Sequence, residues 1–141
     1  MNIVYSTTVS SVGGRDGTIR SDDGVLDLKV ALPHSLGGAG GATNPEQLFA
    51  GGFAACFANA VLHAARTKTH EVAEQDIEVI AEVELGAICD GSFELSLSLI
   101  VMIAGVSQKT AEQIVNSAHA ICPYSNAVRG NINVATSVVT R

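Results

Sequence analysis

The chain has 141 residues, with 14 acidic and 8 basic side chains, a net charge of −6 and an isoelectric point near 5.0. A hydrophobic fraction of 47% and a mean hydropathy of +0.31 exclude a disordered chain, and the length fits one domain, residues 1–141, able to bury a core without staples. The eight basic residues are scattered, with no polybasic run, which excludes nucleic acid and anionic membrane surfaces as expected partners. Aromatic residues make up only 4% and Trp is absent, so the core must come from Ala, Val, Leu and Ile. The start, MNIVYSTTVS, lacks the basic and long apolar regions of a signal peptide, and three cysteines do not make a secreted disulfide framework. The expected setting is cytoplasmic, where paired cysteines are more often catalytic or metal-binding than structural.

Residues 3–12 alternate as a strand up to Gly13-Gly14-Arg15-Asp16-Gly17, a tight turn. A short strand over 18–20 and another over 25–32 complete an antiparallel meander. The Gly-rich segment 36–42 lacks the Gly-Lys-Ser/Thr ending of a phosphate loop. Asn44 as N-cap, Pro45 at N1 and Gln47 at N3 start a helix that runs to about Lys68. Its stretch 48–65 carries no formal charge, but Gly51-Gly52, Asn59, His63 and many alanines point to a buried central helix rather than a membrane span. Residues 77–85 and 93–103 alternate around Asp90-Gly91 as a hairpin, with Phe93, Leu95, Leu97, Leu99, Val101 and Ile103 inward and the acidic residues on a solvated face. A second helix starts at Ser107 or Thr110, where Thr110-x-x-Gln113 resembles a capping box, and carries the stripe Ala111, Ile114, Val115, Ala118, Ile121, Cys122. Pro123 stops it at Cys122. A last strand covers 132–139. The order βββ-α-ββ-α-β defines an α+β class, with antiparallel sheets around central helices.

Cys56 lies mid-helix and Cys122 at a helix end followed by a rigid Pro-Tyr-Ser-Asn turn. A free cysteine often packs simply as a small hydrophobe. A peroxide-reducing thiol needs more: a nearby cation to lower its pKa, and a second thiol to capture the sulfenic acid. Arg15, in its glycine-flanked turn, is the most constrained cation. Glu46 lies in the first helical turn, where it complements the helix dipole or holds an arginine. His119-x-x-Cys122, joined by Cys56, would suit a metal, but no second short-spaced ligand pair exists, so no metal or other cofactor is expected. A zinc- or redox-responsive, non-enzymatic dimeric binding protein is the competing reading. His34, His63, His70 and Cys89 have no assigned partner.

Three segments carry a resemblance: Asn44-Pro-Glu-Gln-Leu-Phe-Ala50 with Ala55-Cys56-Phe57, Cys122-Pro-Tyr-Ser-Asn-Ala-Val-Arg-Gly-Asn131, and Gly13-Gly-Arg-Asp-Gly17. Together they closely resemble the organic hydroperoxide resistance proteins, a branch of the OsmC family, over essentially the whole chain. The resemblance implies a thiol peroxidase that reduces organic hydroperoxides, fatty-acid ones included, to alcohols. It implies an intertwined homodimer with sites at the subunit interface, and a dihydrolipoamide or lipoylated-protein reductant. Residue by residue it implies Cys56 as the peroxidatic and Cys122 as the resolving cysteine, joined as a disulfide in turnover. Arg15 would stabilise the thiolate and Glu46 would orient Arg15. Gly51-Gly52-Phe53 stands where relatives often show Ala-Gly-Tyr, and Val128 where Thr is common, which bears on pocket shape. Glu46 and Cys56 are ten residues, about 15 Å, apart along one helix. Either Glu46 therefore serves the Cys56 of the other subunit, or Arg15 bridges the gap.

Overall fold

Three short antiparallel strands open the chain, in the order β1 (Val9–Val12), β2 (Thr18–Ser21), β3 (Asp27–Lys29). The register pairs Val9 with Ser21 and Thr18 with both Val12 and Lys29. The expected strand over 3–12 is shortened because β2 ends opposite Val9, so residues 3–8 run past the end of their partner. The strand expected over 25–32 is likewise reduced, with Val30 in a single bridge to Thr43. Ile3, Val4, Tyr5, Val12 and Val25 are exposed, Val4 at 91% and Val25 at 87%.

The computed structural model describes all 141 residues. By internal contacts the chain divides into two units, Met1–Leu48 and Phe49–Arg141. The division falls in the first turn of α1 (Pro45–Thr67), whose start is as expected: Asn44 Oδ1 accepts from the Gln47 N–H at 2.9 Å. Asn44→Ala removes this cap and should cost about 1 kcal/mol, read as a lower urea midpoint.

The second unit holds β4 (Ile77–Ala87), β5 (Phe93–Ile103), α2 (Gln108–Ile121), α3 (Pro123–Val128) and β6 (Ala135–Thr140). β4 and β5 pair antiparallel over eleven positions each, from Ile77↔Ile103 to Ala87↔Phe93. β6 lies parallel to β5, Ser98↔Ala135 to Ile103↔Thr140, so this sheet is mixed. The parallel pairing follows from the connection, since α2 and α3 return the chain to the start of the sheet before β6 begins.

The core of this unit joins α1 (Phe53, Phe57, Ala60, Val61, Ala64, Ala65), α2 (Ala111, Ile114, Val115, Ala118) and the inner face of β5 (Leu97, Leu99, Val101, Ile103). α1 is long and apolar enough to cross a membrane by composition, but these buried residues bind one side of it into the core. On the opposite face of the sheet Glu78, Glu82, Glu84 and Glu94 are exposed, as the alternation requires. Phe93, expected inward, is 67% exposed because burial along β5 fades toward the hairpin end. Ile121 is also exposed, and Cys122 takes the buried place at that end of α2.

Two local details correct the sequence reading. The N-cap of α2 is Ser107, whose side chain accepts from the Thr110 N–H at 3.2 Å, so Thr110 is inside the helix and does not cap it. The segment after Cys122, read as a rigid turn, is the short helix α3 with Pro123 in its first turn. Cys122 sits between the two helices in the extended conformation that a residue before proline prefers (φ −66°, ψ 122°).

Candidate active site

Cys56 and Cys122, 66 residues apart in sequence, meet inside the second unit. α1 carries Cys56 on a partly buried face, and the end of α2 delivers Cys122 to it. The Cys122 thiol points at Cys56 Sγ with the sulfurs 3.8 Å apart. Their surroundings differ: Cys122 is fully buried (0%), whereas Cys56 is only partly covered. Burial pushes the Cys56 thiol above the usual cysteine range, and the adjacent Cys122 adds to that rise, because two thiolates cannot share so small a space. The main-chain N–H of Tyr124 acts in the opposite direction and favours the thiolate. Within this unit the thiol is therefore held protonated at neutral pH, and a cation is needed to make it a nucleophile.

Arg15 and Glu46 meet inside the first unit. Arg15 sits in the one-turn helix Gly14–Asp16, entered through Gly13 at φ +82°. The turn closes tightly at Gly17, where any Cβ would run into the Val12 carbonyl oxygen. Both guanidinium nitrogens reach Glu46, NH1 to Oε2 at 2.8 Å and NH2 to Oε1 at 2.6 Å, a bidentate pair within one chain. The Arg15 hydrogen bonds hold the Glu46 carboxyl below its usual range, and Glu46 raises Arg15 in turn. Both side chains are charged at any physiological pH. Glu46 thus fixes the fork of Arg15 and leaves the guanidinium edge that carries Nε free for another anion.

His119, a candidate metal ligand in the sequence, is used otherwise. Its Nε2 meets Thr136 Oγ1 at 2.9 Å and its Nδ1 meets Ser125 Oγ at 3.2 Å, so the ring ties α2 to α3 and β6. It also lies against Phe57, with ring centroids 4.5 Å apart, and both ring nitrogens are engaged away from the sulfurs. No group of three His, Cys, Asp or Glu side chains is placed to hold a metal. Cys89 is exposed in the β4–β5 connection, and His34 bonds the Gly38 carbonyl.

Burial first, and then the positive Arg129, hold His119 below the ordinary histidine range, so it is neutral in the folded protein. The unfolded chain takes up that proton near pH 6.5. Below that pH the unfolded state binds more protons, so stability falls as pH drops toward the lower folded midpoint. Urea midpoints should fall between pH 7.5 and 5.5, and His119→Gln should flatten that slope.

The sequence reading passed over Tyr124 and Ser125. The signal for both was their place directly after Cys122-Pro123, a candidate thiol followed by a conformationally fixed residue.

The fold and this pair of sulfurs define an α+β dithiol protein, with one cysteine open to reaction and one sealed behind it. The family described as OsmC-like protein matches residues 38–137. The organic hydroperoxide resistance protein OhrA of Bacillus subtilis is 44% identical, over 96% of this chain and 96% of its own. OhrB of the same organism is 41% identical over 93% of this chain and 95% of its own. The crystal structure of an organic hydroperoxide resistance protein OsmC from Legionella pneumophila, described as a predicted redox protein, superposes with a TM-score of 0.93 at 45% identity, covering 98% of this chain and 99% of that one. The chain belongs to the OsmC-like family, among its organic hydroperoxide resistance proteins.

Proposed function

We propose that this chain is a cysteine-based peroxidase that reduces organic hydroperoxides to alcohols, with Cys56 as nucleophile and Cys122 as resolving thiol. The observation that carries the reading is the 3.8 Å approach of two sulfurs with unequal exposure. A peroxide arriving from solvent meets Cys56 first. The Cys56 thiolate attacks one peroxide oxygen, the O–O bond breaks, and the alkoxide leaves as alcohol after taking a proton. Cys56 is then a sulfenic acid, and Cys122 attacks its sulfur, forming an S–S bond and releasing water. Disulfide formation needs the sulfurs to close by about 1.8 Å. A dithiol of the dihydrolipoyl class, free or on a lipoylated protein, attacks the more open Cys56 sulfur, expels Cys122 and closes as its own disulfide.

In this reading Arg15 supplies the cation for the Cys56 thiolate, and Glu46 holds its fork in register. The Arg15–Glu46 pair forms within one chain, so Glu46 acts through Arg15 rather than alone. Whether the guanidinium serves its own chain's thiol or a partner's, the working form is a homodimer. Ile3, Val4, Tyr5, Val12 and Val25, all exposed in the first unit, are the apolar surface that a second copy would bury. The protein works in the cytoplasm, where a reducing pool returns the dithiol.

The test is peroxide consumption by purified protein, with cumene hydroperoxide, a fatty-acid hydroperoxide or hydrogen peroxide as oxidant and dihydrolipoamide or reduced thioredoxin as donor. Turnover of the two organic substrates with dihydrolipoamide is expected, with hydrogen peroxide slower. No turnover with either donor would overturn the reading.

A further inference from the structure

Tyr124 turns back from α3 onto α1. A Cβ placed on Gly52 would lie 3.1 Å from Tyr124 Oη, 3.3 Å from Cε2 and 3.5 Å from Cζ, so the ring rests on helix backbone at a position with no side chain. Phe53 meets the same ring edge-on, with centroids 5.6 Å apart and planes at 86°. Gly52 precedes Cys56 by four residues, about one helical turn, and so shares its face. Cys122, Pro123 and Tyr124 are consecutive, and proline fixes the backbone between them. The ring's seat on α1 therefore sets where the Cys122 sulfur and the Tyr124 main-chain N–H stand over Cys56.

We propose that Tyr124 is a positioning residue for Cys56, its ring seated in a notch made by Gly52 so that α3 is held at a fixed height above the thiol. This rests on the reading of Cys56 as nucleophile. Two consequences separate it from ordinary packing. Lifting the ring should weaken the N–H that favours the Cys56 thiolate, and should lengthen the path to Cys122. Gly52 is in the middle of α1, so alanine is acceptable to the backbone there. The disturbance from Gly52→Ala is then purely the push on the ring, a few tenths of an ångström.

The experiment measures alkylation of Cys56 by iodoacetamide against pH, read by peptide mass in the reduced full-length protein, and the rate of Cys56–Cys122 disulfide formation after one equivalent of cumene hydroperoxide. Gly52→Ala should move the alkylation midpoint to higher pH, slow alkylation at pH 7 by about threefold or more, and slow disulfide closure. Gly52→Ala/Tyr124→Phe should recover part of both losses, since the atom nearest the new methyl is gone. Tyr124→Ala removes the seat without crowding α1 and should shift the midpoint in the same direction, which covers the case of a poorly folded Gly52→Ala. A midpoint unchanged in Tyr124→Ala, or no recovery in the double variant of a folded Gly52→Ala protein, would overturn the proposal. The alkylation profile needs no peroxide, so it reads the notch even if Cys56 proves not to be the peroxidatic thiol. Failure of that assignment would appear separately, as absence of any oxidised Cys56.

Discussion

Cys56→Ser should give a folded protein with no measurable hydroperoxide reductase turnover, a loss of at least about a thousandfold. The sulfur chemistry cannot pass to oxygen. A serine hydroxyl does not ionise near neutral pH, and no general base lies against Cys56, whose sulfur meets another thiol and a main-chain N–H. Cys122 cannot take over, because it is fully buried and closed to a peroxide in solution. Stability should change little, since Cys56 is only partly covered and a hydroxyl there can reach solvent. Circular dichroism and urea unfolding alongside the peroxide assay separate the two effects. Activity within threefold of wild type would place the nucleophile elsewhere, with Cys89 as the other exposed thiol to examine.

The parts of this molecule that were legible in the sequence are those fixed by neighbours in the chain. Asn44-Pro45 starts α1 because capping and the proline ring act within one turn. Phe93–Ile103 pairs with Ile77–Ala87 because a period of two and a short connection leave little choice of register. Pro123 ends α2 for a purely local steric reason. What lies beyond local chemistry was harder to see. The parallel pairing of β6 depends on where two helices return the chain, and α3 was hidden because six residues that begin with a proline carry no periodicity.

The site divides the same way. Nothing in local pattern brings together residues 66 apart, such as Cys56 and Cys122, or 31 apart, such as Arg15 and Glu46. Their proximity was expected from resemblance to a family, and the coordinates give it distances. The resemblance implied the roles of the two cysteines, but not that one sulfur is fully buried while the other is only partly covered. Nor did it show that His119 is spent on Ser125 and Thr136.

Loss of Cys122 should leave the first chemical step intact and abolish the second. Cys122→Ala keeps a small apolar group in a fully buried site, whereas Cys122→Ser places a hydroxyl where the surroundings are the apolar core, at a cost of about 1–3 kcal/mol. Alanine is therefore the cleaner probe and serine the check. With one equivalent of cumene hydroperoxide, Cys122→Ala should release one equivalent of alcohol and stop, with Cys56 carrying one added oxygen in the intact mass. Excess peroxide should then drive Cys56 to two and three added oxygens, because no thiol stands 3.8 Å away to capture the sulfenic acid. Wild type under the same excess should instead lose two hydrogens, as the disulfide, and regain them with dihydrolipoamide. Steady-state turnover in Cys122→Ala should fall by at least about a hundredfold, limited by direct reduction of the sulfenic acid by external thiol. Full turnover without over-oxidation would mean that Cys122 is a packing residue and that the closeness of the sulfurs has no part in the reaction.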